Sequence, residues 1–255
     1  MRIDIMTLFP ESLGDVLSDS ILGRAQERGI IRIEAHQIRD YTASKQCQVV
    51  DYPYGGGWGA IMQADPLYRC WEAICDQAEG PVHTVYMSPC GRTFKQADAI
   101  RLSKMENLVL VCGHYEGIDQ RFIDECVDEE ISLGDFVLTG GEIAAMAVTD
   151  AVCRMVPGVL ADPECFEDES HYSGMLEYPQ YSRPAVWHGR EVPPILLSGD
   201  HGKVALWRRK ESLKRTKARR PDMYEKLDLS SKQDRKLLVQ IEEEENEAAN
   251  AEKMD

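Results

Sequence analysis

The stretch Leu133–Glu142, LGDFVLTGGE, sets a glycine pair between an apolar, strand-like run and the start of a helical pattern. A plain strand-to-helix turn uses glycine for its conformational freedom, and a cradle around a small ligand uses it for close backbone approach. On its upstream side CVDEEISLGDFV (126–137) reads as a final strand or two. On its downstream side EIAAMAVTDAVCRMV (142–156) keeps helical spacing until Pro157.

Working outward, the same alternation fills the first 155 residues. RIDIMTLF (2–9) and IIRIEAHQI (30–38) read as strands, with ESLGDVLSDSILGRAQERG (11–29) between them as one amphipathic helix ending at Gly29. HTVYMSP (83–89) and NLVLVCG (107–113) are short apolar runs stopped by Pro or Gly, separated by the helical spacing of ADAIRLSKM (97–105). Strands alternating with helices predict an α/β domain around a mainly parallel sheet. Residues 161–182 mix acids, Tyr, His, Gly and Pro without periodicity. From about Arg183 the chain is punctuated by Pro and then helical, giving a small, mostly helical C-terminal domain. The expected organisation is therefore 1–160, a linker over 161–182, and 183–255 with an acidic, low-complexity tail.

A hydrophobic content of 43% with 29% charged residues fits a soluble globular chain. No apolar run is long enough for a bilayer, and MRIDIMTLFPES lacks a secretory pattern, so the expectation is a cytoplasmic protein. The eight cysteines are scattered without a C-x-x-C pair, which favours reduced, buried thiols over disulfides or zinc. The net charge of −15 is unevenly spread. Residues 241–255 carry seven acids and one Lys, read as a solvating, repelling end. Lys203–Arg220 carries nine basic residues against one Glu. That run is either a solvated helix face or a surface for phosphates.

Three glycine-bearing loops follow strand signals: MSPCGRTF (87–94), CGHYEGID (112–119) and SLGDFVLTGGE (132–142). Ligands of open α/β sheets bind beyond the carboxyl ends of strands, where such loops lie. None has the dinucleotide or nucleoside triphosphate glycine fingerprint. DYPYGGGWGAIMQADPL (51–67) adds four glycines flanked by Tyr, Pro and Trp, read as a shaped loop near something flat.

LFPE (8–11), DYPYGGGWGAIM (51–62), SPCGRTF (88–94), CGHYEGIDQR (112–121), DEEISLGDFVLTGGE (128–142), PGVL (157–160), LEYPQYSRP (176–184), VPPILLSGDH (192–201) and the Trp207–Arg208 helix together resemble the bacterial tRNA (guanine-N1)-methyltransferase family, TrmD. The motifs occur in that family's order across nearly the whole chain. The resemblance implies a SPOUT fold, an α/β domain containing a deep trefoil knot. Periodicity and spacing could not suggest a knot, since knots are nearly absent from proteins.

The resemblance further implies S-adenosylmethionine as methyl donor, held in the knot. Backbone groups of Gly113 and of Leu133, Gly134, Asp135, Phe136, Val137 and Leu138 would hold it. Tyr86, Ser88, Pro89, Gly91, Tyr115, Gly140 and Gly141 would line the pocket, and Glu116 would face the cationic sulfonium. The acceptor would be N1 of the guanosine at tRNA position 37 when a guanosine precedes it. That nitrogen is protonated at neutral pH and needs a base. The family's Asp-Ser-Phe motif falls here on Glu169-Ser170-His171, so Glu169 becomes the expected base, with Asp168 as runner-up. Arg154 matches the family's catalytic Arg. Tyr181, Arg183, Ser198, His201, Lys203, Arg208, Arg215 and Arg220 are the expected tRNA contacts. A homodimer with a site built from both subunits is also implied. Mg²⁺ is associated with the family, and the sequence locates no site for it. Two alternatives stand beside this reading: a SPOUT methyltransferase acting at another RNA position, and a cofactor-sensing RNA-binding module without turnover, motivated by the missing Asp.

Overall fold

The computed structural model describes residues 1–161, 166 and 169–252, and the chain divides into two compact units, Met1–Pro163 and Glu164–Asp255. In the first unit the strands are β1 (Arg2–Thr7), β2 (Arg32–Gln37), β3 (Val50–Asp51), β4 (Ile61–Met62), β5 (Val82–Thr93), β6 (Asn107–Cys112) and β7 (Glu129–Ser132). The helices are α1 (Gly14–Ser18), α2 (Ser20–Glu27), α3 (Ala64–Gln77), α4 (Gln96–Leu102), α5 (Gln120–Cys126) and α6 (Glu142–Cys153). Five strands form one sheet in the order β2-β1-β6-β5-β7, every pairing parallel.

Side-chain alternation divides the core between the two faces of the sheet. Ile3, Ile5, Val85, Leu108, Leu110 and Cys112 join one apolar cluster with residues of α1, α2, α4 and α6. Met6, Tyr86, Val109 and Val111 join another with residues of α3 and α5. All six residues of β6 are buried, as befits a central parallel strand covered on both sides. This α/β, mainly parallel architecture is the expected one.

Three details differ from the sequence expectation. The helix expected over 11–29 breaks in two, because Asp19 is extended and caps Ser20, which adopts a left-handed φ of 52°. The strand expected to stop at Pro89 runs on to Thr93, with Met87 and Arg92 both registered against Ile131. Residues 88–91 therefore loop out of the ladder, where Pro89 has no N–H to donate. Finally, β7 ends at Ser132, and the run through Val137 is irregular rather than strand.

The second unit holds the hairpin β8 (Val186–Trp187) and β9 (Arg190–Glu191), turned on His188 and Gly189, both at positive φ. Helices α7 (His201–Arg219), α8 (Pro221–Tyr224) and α9 (Lys232–Glu252) follow. Asp200 caps α7 by accepting from Lys203 N–H at 3.0 Å. Met175, Leu213, Leu237 and Ile241 make a small buried core. No helix is long and apolar enough to cross a membrane among the described residues.

Candidate active site

A cavity of about 450 Å³ opens at the carboxyl ends of β5, β6 and β7, within the usual size of a small-molecule site. Its walls are the three loops singled out by their glycines: the 88–91 bulge, the 113–118 loop after β6, and the irregular 133–141 segment. Tyr86, Ser88, Pro89, Gly113, Tyr115 and Glu116 line it, as do Leu133, Phe136, Val137, Leu138, Gly140 and Gly141. Three expected residues do not. Gly91 lies where β5 presses on β7, and a Cβ there would sit 2.5 Å from Ile131 N, so its role is close packing of backbone. Gly134 belongs to a turn bonded to the Ser132 hydroxyl (2.9 and 3.2 Å), and Asp135 is exposed beside it.

The glycine pair is explained by neighbours rather than by unusual φ, since neither residue is at positive φ. Gly141 packs on β6, where a Cβ would come within 2.7 Å of Cys112 Cα. A Cβ on Gly140 would overlap the His114 imidazole and reach within 2.5 Å of Glu142 Oε2. Sequence reasoning passed over His114, Gln120, Glu130, Thr139 and Ala144, which also line the cavity. Nothing in their local pattern sets them apart from ordinary loop, strand and helix residues. Burial raises the Tyr86 phenol to about 12, with the charge of Glu130 adding to the shift, so it stays protonated at neutral pH.

The Gly-rich 52–60 stretch is a loop between β3 and β4. Its base is stitched to the cavity loop by Glu116 N–H to Ala60 O, Met62 N–H to Gly117 O and Asp119 N–H to Met62 O, each at 3.0 Å. Tyr52, Tyr54 and Trp58 project from it almost fully exposed.

The family model for tRNA (Guanine-1)-methyltransferase TrmD matches residues 1–226. The chain belongs to the TrmD family. A protein of Ruminiclostridium cellulolyticum named tRNA (guanine-N(1)-)-methyltransferase is 50% identical over 227 residues, covering 89% of this chain and 97% of its own length. Relatives of the same name from Clostridium perfringens (strain SM101) and Dehalococcoides mccartyi (strain 195) are 54% and 48% identical, covering 93% and 96% of this chain and 99% of each relative.

Within this TrmD chain, Arg154 is half-buried at the C-cap of α6, its N–H bonded to Asp150 O at 3.1 Å. Glu169, half-buried, begins a compact turn in the second unit. There His171 N–H donates to Met175 O (2.8 Å) and Glu177 N–H to the Ser170 hydroxyl (3.0 Å). Asp168 lies outside the described residues. Of the expected tRNA contacts, Arg208 stacks its guanidinium 4.7 Å from the Tyr178 ring centroid, and Arg215 donates to Glu177 O at 3.1 Å. Tyr181 and Arg183 are exposed, as is His201 at the start of α7. Lys203 pairs with Asp200 (3.2 Å) and Arg220 with Asp222 (2.7 Å), while the Ser198 hydroxyl is used in its own turn, donating to Ile195 O.

Part of the acidic tail is paired, while Glu242, Glu243 and Glu247 stay exposed as expected of a solvated end. Its residues 242–245 continue α9, and Glu244 and Glu245 pair with lysines of α7. The described cysteines are free thiols, with Cys70, Cys112, Cys126 and Cys153 buried and Cys47 and Cys90 exposed.

Among the described residues, one group of metal-ligating side chains converges: Asp4, Glu34 and His36. It does not fit Mg²⁺. Arg2 already supplies a cation there, its Nε 2.7 Å from Asp4 Oδ2 and its Nη2 2.9 Å from Oδ1, while His36 Nε2 takes the remaining approach to Oδ1 at 2.7 Å. The group is an internal ion network on β1 and β2.

Proposed function

We propose that this chain methylates N1 of a tRNA guanosine, the one at position 37 preceded by guanosine, with S-adenosylmethionine as donor. The observation that carries the proposal is the family match over residues 1–226, which includes every loop lining the cavity. The cavity suits the donor. Leu133, Leu138 and Ala144 offer apolar contact for a flat heteroaromatic ring, and the irregular 113–117 and 133–141 backbone offers N–H and C=O groups to polar ends. Glu116, at the rim, complements positive charge. S-adenosylmethionine supplies a methyl group already activated on a sulfonium, so the residues of this chain have to position and deprotonate the acceptor.

Glu169 is the proposed base: it takes the guanine N1 proton as N1 takes the methyl group, and the thioether leaves uncharged. Arg154 is proposed to orient the purine and stabilise negative charge developing on its carbonyl oxygen. Arg208, Arg215 and the exposed Tyr181 and Arg183 would position the anticodon arm without reading its sequence. In this reading 1–160 binds the donor, 161–182 carries the base and 183–255 grips tRNA.

The same reading extends to the knotted SPOUT fold and to a homodimer sharing its sites. The path from edge strand β7 back across the end of β5 to Gly113, where Gly141 N–H donates to Gly113 O at 3.0 Å, supports the knot. Val16, Ile21 and Ile143 are exposed apolar residues on neighbouring helices α1, α2 and α6, which supports a covered face there. The deciding experiment is methyl transfer to unmodified tRNA transcripts bearing guanosine or adenosine at position 37, with the product nucleoside identified. Product other than 1-methylguanosine, or equal transfer to both transcripts, would refute the proposal.

A further inference from the structure

Glu142, at the first position of α6, is 7% exposed, and it is not part of the cavity lining. Burying a carboxylate is costly unless hydrogen bonds satisfy it, and here both oxygens are engaged. The Thr7 hydroxyl, fully buried at the end of β1, donates to Oε1 at 2.7 Å. The same hydroxyl accepts Phe9 N–H at 2.9 Å, so its hydrogen is committed to Glu142. On the other oxygen, His114 Nε2 lies 2.8 Å from Oε2 and must be the protonated nitrogen, because an ionised carboxylate only accepts. The far side of the imidazole packs against the Phe9 ring, 4.8 Å between centroids.

One carboxylate thus ties three segments at the carboxyl end of the sheet: the end of β1, the loop after β6 and the entry to α6. The 133–141 wall of the cavity hangs between two anchors. At its start, Ser132 holds Gly134. At its end, His114 and Gly140 form a backbone bridge. Residues 135–139 add one short-range bond of their own, Phe136 N–H to Gly134 O at 2.9 Å, and Val137 is 79% exposed. The far anchor therefore governs where Phe136, Val137 and Leu138 stand. Gly140 leaves room for the imidazole and the carboxylate at that point.

We infer that the Thr7–Glu142–His114 chain is a positioning device for the methyl-donor pocket, which fixes the 133–141 wall against the loop after β6. This rests on the reading of the cavity as the donor site. Its signature is a loss of donor affinity with the chemical step preserved once the donor saturates, because Glu142 and Thr7 act through backbone placement.

The test measures donor affinity by calorimetry, methyl-transfer kinetics and thermal midpoint for the full chain and for His114→Ala, His114→Gln and Thr7→Val. Thr7→Val removes the hydroxyl while keeping its volume, at a residue outside the cavity lining, and should raise both the donor Kd and the donor KM at least about tenfold, with kcat at saturating donor within about threefold of the parent. His114→Ala should weaken donor binding in the same direction, and His114→Gln, whose amide can still donate to Glu142, should recover most of the affinity. Unchanged donor Kd in a folded Thr7→Val protein would overturn the inference, as would a loss confined to kcat or no recovery with Gln. A parent protein that binds no donor would overturn the reading of the cavity as well, before any variant is compared.

Discussion

Lys214 Nζ donates to Glu244 Oε2 across 3.0 Å and fastens α7 to α9. Lys210 reaches Oε1 of the same carboxylate at 2.5 Å, and Lys217 reaches Glu245 at 2.7 Å. These lysines recur at helical spacing along one stripe of α7, and the hydrogen bond from Lys210 holds the Glu244 carboxyl below its usual range. Arg208 and Arg215, seven residues apart, fall on a different stripe beside Tyr178 and Glu177.

The division of cations predicts two kinds of variant. Arg208→Ala and Arg215→Ala should each raise the KM for tRNA about tenfold, leave donor affinity alone, and flatten the salt dependence of tRNA binding by roughly one unit of slope. Lys214→Ala should instead lower the thermal midpoint, with little change in the salt slope. Filter binding at several ionic strengths separates the two. An equal loss of slope for Lys214→Ala would show that its stripe also meets RNA.

Glycine positions give a second contrast. Gly141→Ala would drive a methyl into the β6 backbone at Cys112, where nothing flexible can give way, and should destabilise by about 1–3 kcal/mol or more. Gly14→Ala, at the first residue of α1 with nothing within 4 Å of the added carbon, should be neutral or stabilise by about 0.4–1 kcal/mol. Denaturant midpoints of both variants test the pair. A stable Gly141→Ala protein would mean that the segment can shift away from β6.

The ease of reading β6 and the obscurity of His114 have the same physical origin. NLVLVC is buried on both faces, so its apolar run survives in the sequence as a local signal. The role of His114 depends on Glu142, and the role of Glu142 depends on Thr7, 135 positions away, a relation that no window of sequence contains. Pro89 reads as the stop of HTVYMSP, yet the strand resumes after the 88–91 bulge. The 11–29 helix looked continuous because its apolar spacing is continuous, and only the cap at Asp19 divides it. The acidic tail and the basic run were legible as charges, but as separate sums; their pairing is a packing fact about α7 and α9. The expected donor loops were legible as strand-end glycines, and the basic run as either a phosphate surface or a solvated face, while the base and the individual RNA contacts came only with the family resemblance.

Glu129 makes acid stability of the first unit testable. Its burial opposes ionisation, but hydrogen bonds from His83 (2.8 Å), Arg101 (2.7 Å) and Arg92 (2.6 Å) prevail and bring the carboxyl down to about 2. A carboxyl lowered in the folded state contributes stability that is complete above its unfolded value and lost as pH falls toward the folded one. Between about pH 5 and pH 2, folding should therefore lose on the order of 1–2 kcal/mol through this group, the exposed flanks of Arg92 and Arg101 being screened by water. Glu129→Gln should lower stability at neutral pH and flatten that acid limb. Urea midpoints at pH 6, 4 and 3 check the sign, and parallel curves for parent and variant would remove Glu129 as the cause.

The resemblance puts Glu169 where the family motif has Asp, with one more methylene between backbone and carboxyl. If it removes the N1 proton, Glu169→Ala should leave donor affinity intact and lower the single-turnover rate by about 10²–10⁴-fold, the usual contribution of a general base. Glu169→Gln should fall equally, since the amide keeps the shape and cannot take a proton. Glu169→Asp restores the family side chain. It should stay within about tenfold of the parent, because the 169–177 turn is held by its own backbone bonds and the shorter acid has to reach from the same place. Rapid-quench methyl transfer with donor pre-bound isolates this step from binding. Full activity in Glu169→Gln would move the base elsewhere, with Asp168 the first residue to replace next.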